Sequence, residues 1–391
     1  MMETAESRPW SDLQPELLGL VLRRLPSIAD RVRLRAVCHP WRSNSLLQSI
    51  PLPFPWITLP DGTFLSIPGG EIHHMPVPVG ACCCGSIDDW LFLMTSDGGC
   101  SLVNPFSKTT LKLPELAKVW KRKISNPNSC ISPVSYKLVV PSPLDSAPDS
   151  LVAALIMDDD NCATLCISQP PIATDLFRDD KVPALQIEDV AFFDGKLYAL
   201  CGFGKLCIVE LGNDLCIAST ECIIHSLHEL DGIPKSLPKV DNRGYTVSVY
   251  LVECGGRLLI VKRWFESIHG PVSDYVFGYD NTVAFDVFEA DLSTNPGRWR
   301  RISKLGGHAL FLGQHASKSL PATECSGYRE DCIYFMADYL GLPCSVNPLL
   351  DSGVYNMRNG KITPLMVQTA AAPPERAGQW RPAWFFPPEA V

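Results

Sequence analysis

Apolar residues follow two different rhythms along these 391 residues. From residue 90 onward they come in short runs: "WLFLMTS", "CSLVNP", "TTLKLP", "YKLVVP", "LVAALIM", "ATLCIS", "KLYAL", "KLCIVEL", "YTVSVYLVE", "RLLIVKRWF", "VAFDVFEADL" and "CIYFMAD". These have the length of β-strands, and Gly, Asp, Asn or Pro bounds most of them. One element recurs as Gly, a basic residue and an aliphatic strand, at Gly195-Lys196-Leu197, Gly204-Lys205-Leu206, Gly256-Arg257-Leu258 and Gly360-Lys361-Ile362. Its Asp-Gly and Asn-Gly forms suit tight hairpin turns. The irregular spacing of the copies predicts a degenerate repeat, as in kelch-like blades carrying insertions. About 330 residues of short strands without a break favour a β-propeller over a sandwich.

The first 48 residues keep a helical rhythm instead. "WSDLQPELLGLVLRRLP", residues 10–26, predicts one helix. Pro15 suits its first position, Glu16 its positive end, Arg23 and Arg24 its negative end, and Pro26 stops it. Leu13, Leu17 and Val21 form one row, and Leu18, Leu22 and Leu25 a second beside it, giving a wide apolar face. Ser27 and Asp30 look like a second cap, opening a short helix to about Val37. Pro40 starts a third helix, running through Trp41 to Leu47. Three helices in about 40 residues cannot bury that much apolar surface on themselves. The surplus must pack on another protein or on the body. The Pro-rich "SIPLPFPWITLP", residues 49–60, then marks the passage between domains. The expected organisation is a small all-α head at 8–48, a connection at 49–60 and an all-β propeller domain at 61–391.

Composition and charge narrow the partners. Hydrophobic content of 46% and charged content of 19% describe a folded chain, and 34 prolines favour turns and short strands over long helices. Net charge is −8, unevenly placed. Residues 8–48 hold seven Arg against Asp12, Glu16 and Asp30, a balance of +4; with Glu3 and Glu6 ahead of them, the chain after residue 48 carries −10. A basic head on an acidic body points to an acidic partner for the head. Nucleic acid is not expected, because the body offers no basic stripe with interleaved aromatics and "VWKRK" at 119–123 reads as a solvated loop. No membrane span is expected, since "LVAALIM" is far short of the ~20 residues needed. "MMETAESRPW" shows no signal-peptide pattern. The sixteen cysteines are scattered, three of them adjacent (Cys82, Cys83, Cys84), and no glycosylation sequon occurs. They read as reduced thiols of an intracellular protein of cytoplasm or nucleus.

With those residues in view, "WSDLQPELLGLVLRRLPSIADRVRLRAVCHPWRS", at 10–43, resembles an F-box. The shared anchors are Leu-x-Pro-Glu-Leu-Leu, then Val-Leu, then Leu-Pro, then Val-Cys-x-x-Trp-Arg; Gln14 and Pro40 depart from the pattern without removing an anchor. The resemblance implies docking on a Skp-type adaptor, an acidic protein linking F-box proteins to a cullin ubiquitin ligase. The adaptor-binding residues it implies are Leu13, Pro15, Leu17, Leu18, Val21, Leu22, Leu25, Val37, Cys38 and Trp41. A second resemblance covers roughly residues 55–390, strongest at 283–365. "TVAFDVFEADL", "RWRRISKLGGHALFLGQHASKSLP", "CIYFMADY", "GVYNMRNGKITPL" and the tail "RPAWFFPP" are similar to the C-terminal β-propeller of a large plant F-box family, long labelled a domain of unknown function. That family supplies a fold and an adaptor role, not a target.

Enzymatic readings fail on spacing. "HSLHEL" at 225–230 puts His225 and His228 beside Glu229, but a zinc protease needs a second His four after the first, and position 232 is Gly. "CGFGKL" at 201–206 lacks the first Gly of a phosphate loop, which is Ala199, and has Leu206 where Ser or Thr must stand. "CCC" and Cys162/Cys166 lack the Cys-x-x-Cys knuckle of structural zinc. "DDDN" at 158–161 reads as a hairpin turn, and "HH" at 73–74 and "GGH" at 306–308 as strand or turn histidines. No catalytic group, cofactor or metal is expected. The expected function is target recognition for an SCF-type cullin ligase, with a propeller scaffold or inhibitor acting without target degradation as the alternative.

Overall fold

A computed structural model describes residues 9–25, 28–48, 52–59, 62–67, 70–75, 77–78, 80–95, 99–113, 116, 135–141, 144, 151–157, 163–169, 187–212, 217–225, 234, 237, 245–266, 281–323, 327–337, 351–365 and 382–388. The head holds three helices, α1 (Pro15–Arg23), α2 (Ile28–Arg35) and α3 (His39–Leu46). Trp10–Asp12 is a separate 3-10 turn, so the predicted single helix from residue 10 breaks before Pro15. Ser27, read as a cap, lies outside the described residues. Leu18, Leu22 and Leu34 form the head's core, flanked by Leu13, Leu25 and Trp41.

The body is a six-bladed propeller, one sheet per blade. Blade 1 contains β1 (Trp56–Thr58), β2 (Thr63–Leu65) and β3 (Ile72–His74), and blade 2 contains β4 (Ala81–Ile87), β5 (Trp90–Thr95), β6 (Cys100–Val103) and β7 (Thr110–Lys112). Blade 3 shows β8 (Ser135–Val139), β9 (Val152–Met157) and β10 (Ala163–Ser168). Blade 4 is β11 (Ile187–Phe193), β12 (Lys196–Cys201), β13 (Lys205–Leu211) and β14 (Ile217–Ile224). Blade 5 is β15 (Tyr245–Glu253), β16 (Leu258–Glu266), β17 (Asn281–Asp291) and β18 (Arg298–Ile302). Blade 6 has β19 (His308–Phe311), β20 (Lys318–Pro321), β21 (Cys332–Phe335), β22 (Gly353–Asn356) and β23 (Lys361–Pro364). The last strand, β24 (Ala383–Phe385), returns to blade 1 and pairs with β1, Ile57 opposite Trp384. The ring is thus closed by joining the two ends of the propeller sequence.

Strand periodicity explains why the ring holds. Successive side chains point to opposite sheet faces, and in a propeller both faces of a blade meet a neighbour. In β12, Tyr198 and Leu200 pack toward blade 5 with Leu258 and Ile260, while Leu197 and Ala199 pack toward blade 3 with Ala153 and Leu155. The same alternation produces six cores, one between each pair of adjacent blades, the sixth joining blade 6 to blade 1 through Phe311, Tyr334, Ile57 and Trp384. Strands covered on both faces read as continuous apolar runs, which is the pattern met in the sequence.

One boundary moves, and one repeat is reassigned. The stretch 49–60, read as a connection, carries Trp56–Thr58 as β1, and Phe54 packs edge-on to Phe311 and Tyr334. Its apolar residues are blade core, with the prolines flanking the strand. The Gly-basic element is a hairpin signature and not a blade period. Gly195 and Gly256 close the innermost hairpins of blades 4 and 5, Gly204 links β12 to β13, and Gly360 links β22 to β23. The expected tight turn is present: Asp194 and Gly195 both have positive φ, 47° and 71°, with Phe193 paired to Lys196.

Candidate functional site

On the head, the two apolar rows of α1 part company. Leu18 and Leu22 are 0% exposed, whereas Leu17 is 46% and Val21 42% exposed. A helix resting on its neighbours along one stripe can bury only the row facing them. Of the ten residues implied as adaptor contacts, Leu17, Val21 and Val37 are therefore open, and Leu13, Pro15, Leu25, Cys38 and Trp41 are half-buried. Leu18 and Leu22 are corrected to core positions that shape the surface from below. Leu20, Val32 and Trp10 extend the open apolar surface, and the sequence reading did not single them out. The Trp41 indole N–H donates to the Trp10 carbonyl at 2.8 Å, tying α3 to the turn that precedes α1.

The arginines sort in the same way. Arg31 is buried and its Nε donates to the Leu25 carbonyl at 2.8 Å, so it fastens α2 to the end of α1. Arg33 pairs with Asp30 at 2.8 Å at the surface. Arg23, Arg24 and Arg42 are exposed and give the head its positive rim.

On the propeller, a cavity of about 740 Å³ opens at the central channel. It lies where the innermost hairpins turn, at Asp88 of blade 2, Asp194-Gly195 of blade 4 and Glu253 with Gly256 of blade 5. Two lysines enter it and both are engaged. Lys137 of β8 pairs with Asp189 of β11 at 2.7 Å and donates to the Leu251 carbonyl at 3.0 Å. Asp189 also accepts from the backbone N–H of Leu251 and Val190, so one buried carboxylate ties blades 3, 4 and 5 together. Burial pushes the Asp189 carboxyl up from its ordinary value, against the pull of the Lys137 ammonium. Lys318 pairs with Asp88 and lies 5.2 Å from the centre of the Phe386 ring. With those cations matched, Asp194 and Glu253 leave the mouth net negative. The loop between β19 and β20 reaches blade 3: His315 Nδ1 lies 2.8 Å from the Tyr136 carbonyl, and the two rings stack at 4.4 Å.

Sequence reasoning missed these buried charges, because a Lys or Asp inside a strand carries no sign of which distant strand it will meet. The same holds for Arg263 on β16. It is buried, donates to Asp351 at 2.9 Å and to the Met336 carbonyl at 2.8 Å, and stands over the rings of Phe265 and Phe335.

The rejected chemical motifs take structural places. Gly202–Gly204 is a turn pinned by Trp299, whose indole N–H donates to the Gly204 carbonyl at 2.8 Å. His73 stacks on Trp56 at 4.9 Å, and His74 lies 3.3 Å from the Thr63 hydroxyl on edge strand β3. His308 turns back to the Gly306 carbonyl at 3.1 Å. His228, Glu229, residues 158–161 and Cys162 lie outside the described residues. Among the described residues, no group of three or more His, Cys, Asp or Glu is placed to hold a metal.

Comparison with known proteins follows the geometry. Residues 64–356 match the family described as KIB1-4 beta-propeller. A protein of Arabidopsis thaliana named as an F-box/kelch-repeat protein, At5g24040, is 23% identical over 368 residues, covering 84% of this chain and 86% of that one. The F-box protein At2g26160 of the same plant is 23% identical over 366 residues, covering 85% and 96%. Among solved structures, an oligogalacturonate lyase in complex with manganese aligns with 78% of this chain and 70% of its own at 11% identity, a loose likeness with a TM-score of 0.28. The family match spans well over half of the chain, and both relatives cover more than four-fifths of it. The chain belongs to the KIB1-4 beta-propeller family, as a plant F-box protein with a propeller.

Proposed function

We propose that this chain is the substrate-recognition subunit of an SCF-type cullin ubiquitin ligase. Its head docks on a Skp-type adaptor and through it on a cullin, and its propeller holds the protein to be modified. The observation that carries the reading is the apolar surface the head leaves open, Leu17, Leu20 and Val21 on α1, Val32 on α2 and Val37 after it, together with its exposed arginines. Apolar surface left uncovered on so small a unit is the usual mark of a docking face, and the positive rim suits an acidic partner. The target docks at the channel mouth, where Asp194 and Glu253 favour a segment carrying a cation. The chain performs no bond chemistry on the target. It contributes proximity, holding target and charged ubiquitin carrier in one assembly. It works inside the cell, in cytoplasm or nucleus, where scattered cysteines of this kind stay reduced.

Co-purification with a Skp-type adaptor and a cullin tests the reading. Leu17→Asp with Val21→Asp should lose both partners while the propeller stays folded, since each anchor is worth roughly 2 kcal/mol or more, about 30-fold in affinity. Retention of the adaptor by that variant would sink the assignment. A bound protein that accumulates when the proteasome is blocked identifies the target.

A further inference from the structure

Three adjacent cysteines lie on β4, the innermost strand of blade 2, and they do not share one environment. Cys83 points into the core between blades 1 and 2, with its sulfur 3.5 Å from the Thr58 hydroxyl. Cys82 and Cys84 point the other way, and their sulfurs stand 3.3 Å apart. A bulge brings them together. Cys83 pairs with Leu93 and Gly85 with Phe92, so Cys84 is the extra residue that opposes nothing on β5. Cys82 is exposed, while Cys84 is half-buried and meets Tyr136, the residue stacked on His315.

We propose that Cys82 and Cys84 form a redox-active dithiol in the wall of the central channel, which a hydroperoxide oxidises to an intrastrand disulfide. The Cys82 thiolate attacks the peroxide oxygen, the O–O bond breaks, and the leaving hydroxide takes a proton to become water. Cys82 is then a sulfenic acid. The Cys84 sulfur attacks that sulfur, the S–OH bond breaks, and a second water leaves carrying the Cys84 proton. One peroxide is reduced by two electrons and two thiols become one disulfide. The sulfurs must approach by only about 1 Å, because a disulfide bond measures about 2.05 Å. A disulfide open to solvent on the Cys82 side is readily reduced, as exposed disulfides are.

The local chemistry assigns the attacking partner. The hydrogen bond with Cys84 lowers Cys82 to about 7, and the same bond with burial pushes Cys84 up. Cys82 is thus the exposed thiolate and Cys84 the resolving thiol. In blade 4 the bond to Cys207 likewise lowers Cys201, but both of those thiols are buried and neither offers an exposed thiolate. Cys207 is buried and pushed far up by its bond to Cys201 and by burial, and burial also raises Cys222.

Mass mapping of the full chain tests this. The reduced protein, freed of reductant, is exposed to a few equivalents of hydrogen peroxide and then alkylated. The peptide holding residues 82–84 should be lighter by two hydrogens, with Cys82 and Cys84 linked and Cys83 alkylated only after unfolding. Cys84→Ser should stop at a Cys82 sulfenic acid that dimedone traps. Cys83→Ser should leave the disulfide intact, and Cys82→Ser should slow thiol loss at this site by about tenfold or more. A link from Cys82 to another cysteine, or equal oxidation in wild type and Cys82→Ser, would overturn the proposal. So would intact thiols at 82 and 84 under peroxide that oxidises a reference protein of matched exposed thiol. The wild-type mapping needs no variant to fold.

Discussion

The head and the propeller solve the same burial problem to different degrees. Between residues 10 and 47 lie seven of the twelve large apolar side chains exposed among the described residues, Trp10, Leu17, Leu20, Val21, Val32, Val37 and Leu47. The propeller, several times longer, exposes Ile72, Phe203, Val247, Leu292 and Ile362, scattered over four blades. Its inner strands have a neighbouring blade on both faces, and β24 closes the ring by returning to β1. Three helices of eight or nine residues have no such recourse. On the proposed function, unfinished burial marks the head as the part that awaits a partner, and the propeller's share of recognition falls at its channel mouth, where turns and charges stand free of the packing.

The strongest way to break this contrast is to reopen the ring. Trp384 is fully buried, its indole N–H donates to the Leu312 carbonyl at 2.8 Å, and its ring meets Phe311 edge-on at 5.1 Å. Ser86 also reaches its carbonyl from blade 2. Trp384→Ala removes packing between blades 6 and 1 and leaves a cavity, costing about 3–5 kcal/mol. A single unfolding transition displaced to lower denaturant is expected, because the ring opens as a unit. Two separated transitions in urea would mean that the blades fold as independent groups and that closure by β24 is incidental.

Next in size is the charge that ties three blades. Asp189→Ala leaves the Lys137 ammonium buried without its carboxylate and should cost about 3 kcal/mol or more. Lys137→Met with Asp189→Leu removes both charges and should cost less than Asp189→Ala alone. It will not be neutral, since the Leu251 and Val190 N–H groups lose their acceptor. A double variant as damaged as the single one would show that the hydrogen bonds to backbone, and not the ion pair, join the blades.

What could be read in advance follows the same division. The twelve quoted strand segments all contain strands of the structure, because a strand covered on both faces, such as β9 or β16, announces itself as an unbroken apolar run. Some strands outside those segments are of another kind. β3 and β18 are short, half-exposed outer strands, and "RWRRI" alternates charge with apolar residues too briefly to stand out. β24 lies in the tail "RPAWFFPP", and nothing in three residues says that they pair with a strand more than 300 positions earlier. On the head the helical rows were legible, but which row faces inward depends on where α2 and α3 lie, and spacing along α1 does not contain that. Arg31 was one of several arginines in the sequence and proves to be an internal fastener.

The smallest expected effects sharpen the comparison most, because they separate surface from core within one helix. Leu18 and Leu17 are neighbours of equal size on α1, one fully buried and one 46% exposed. Leu18→Ala takes a large side chain from a core with few others, so about 2–3 kcal/mol is lost from a unit that has little to spare. Amide exchange should then become fast throughout α1, α2 and α3. Leu17→Ala removes side-chain atoms that face solvent in the free chain, and its effect should stay within about 0.5 kcal/mol. Exchange in the head should be unchanged. In both variants the propeller should unfold at the wild-type temperature, since its six cores are built from its own blades. If Leu17→Ala destabilised the head as much as Leu18→Ala, the outer row would already be covered within the free chain. The surface offered to a partner would then have to be sought elsewhere.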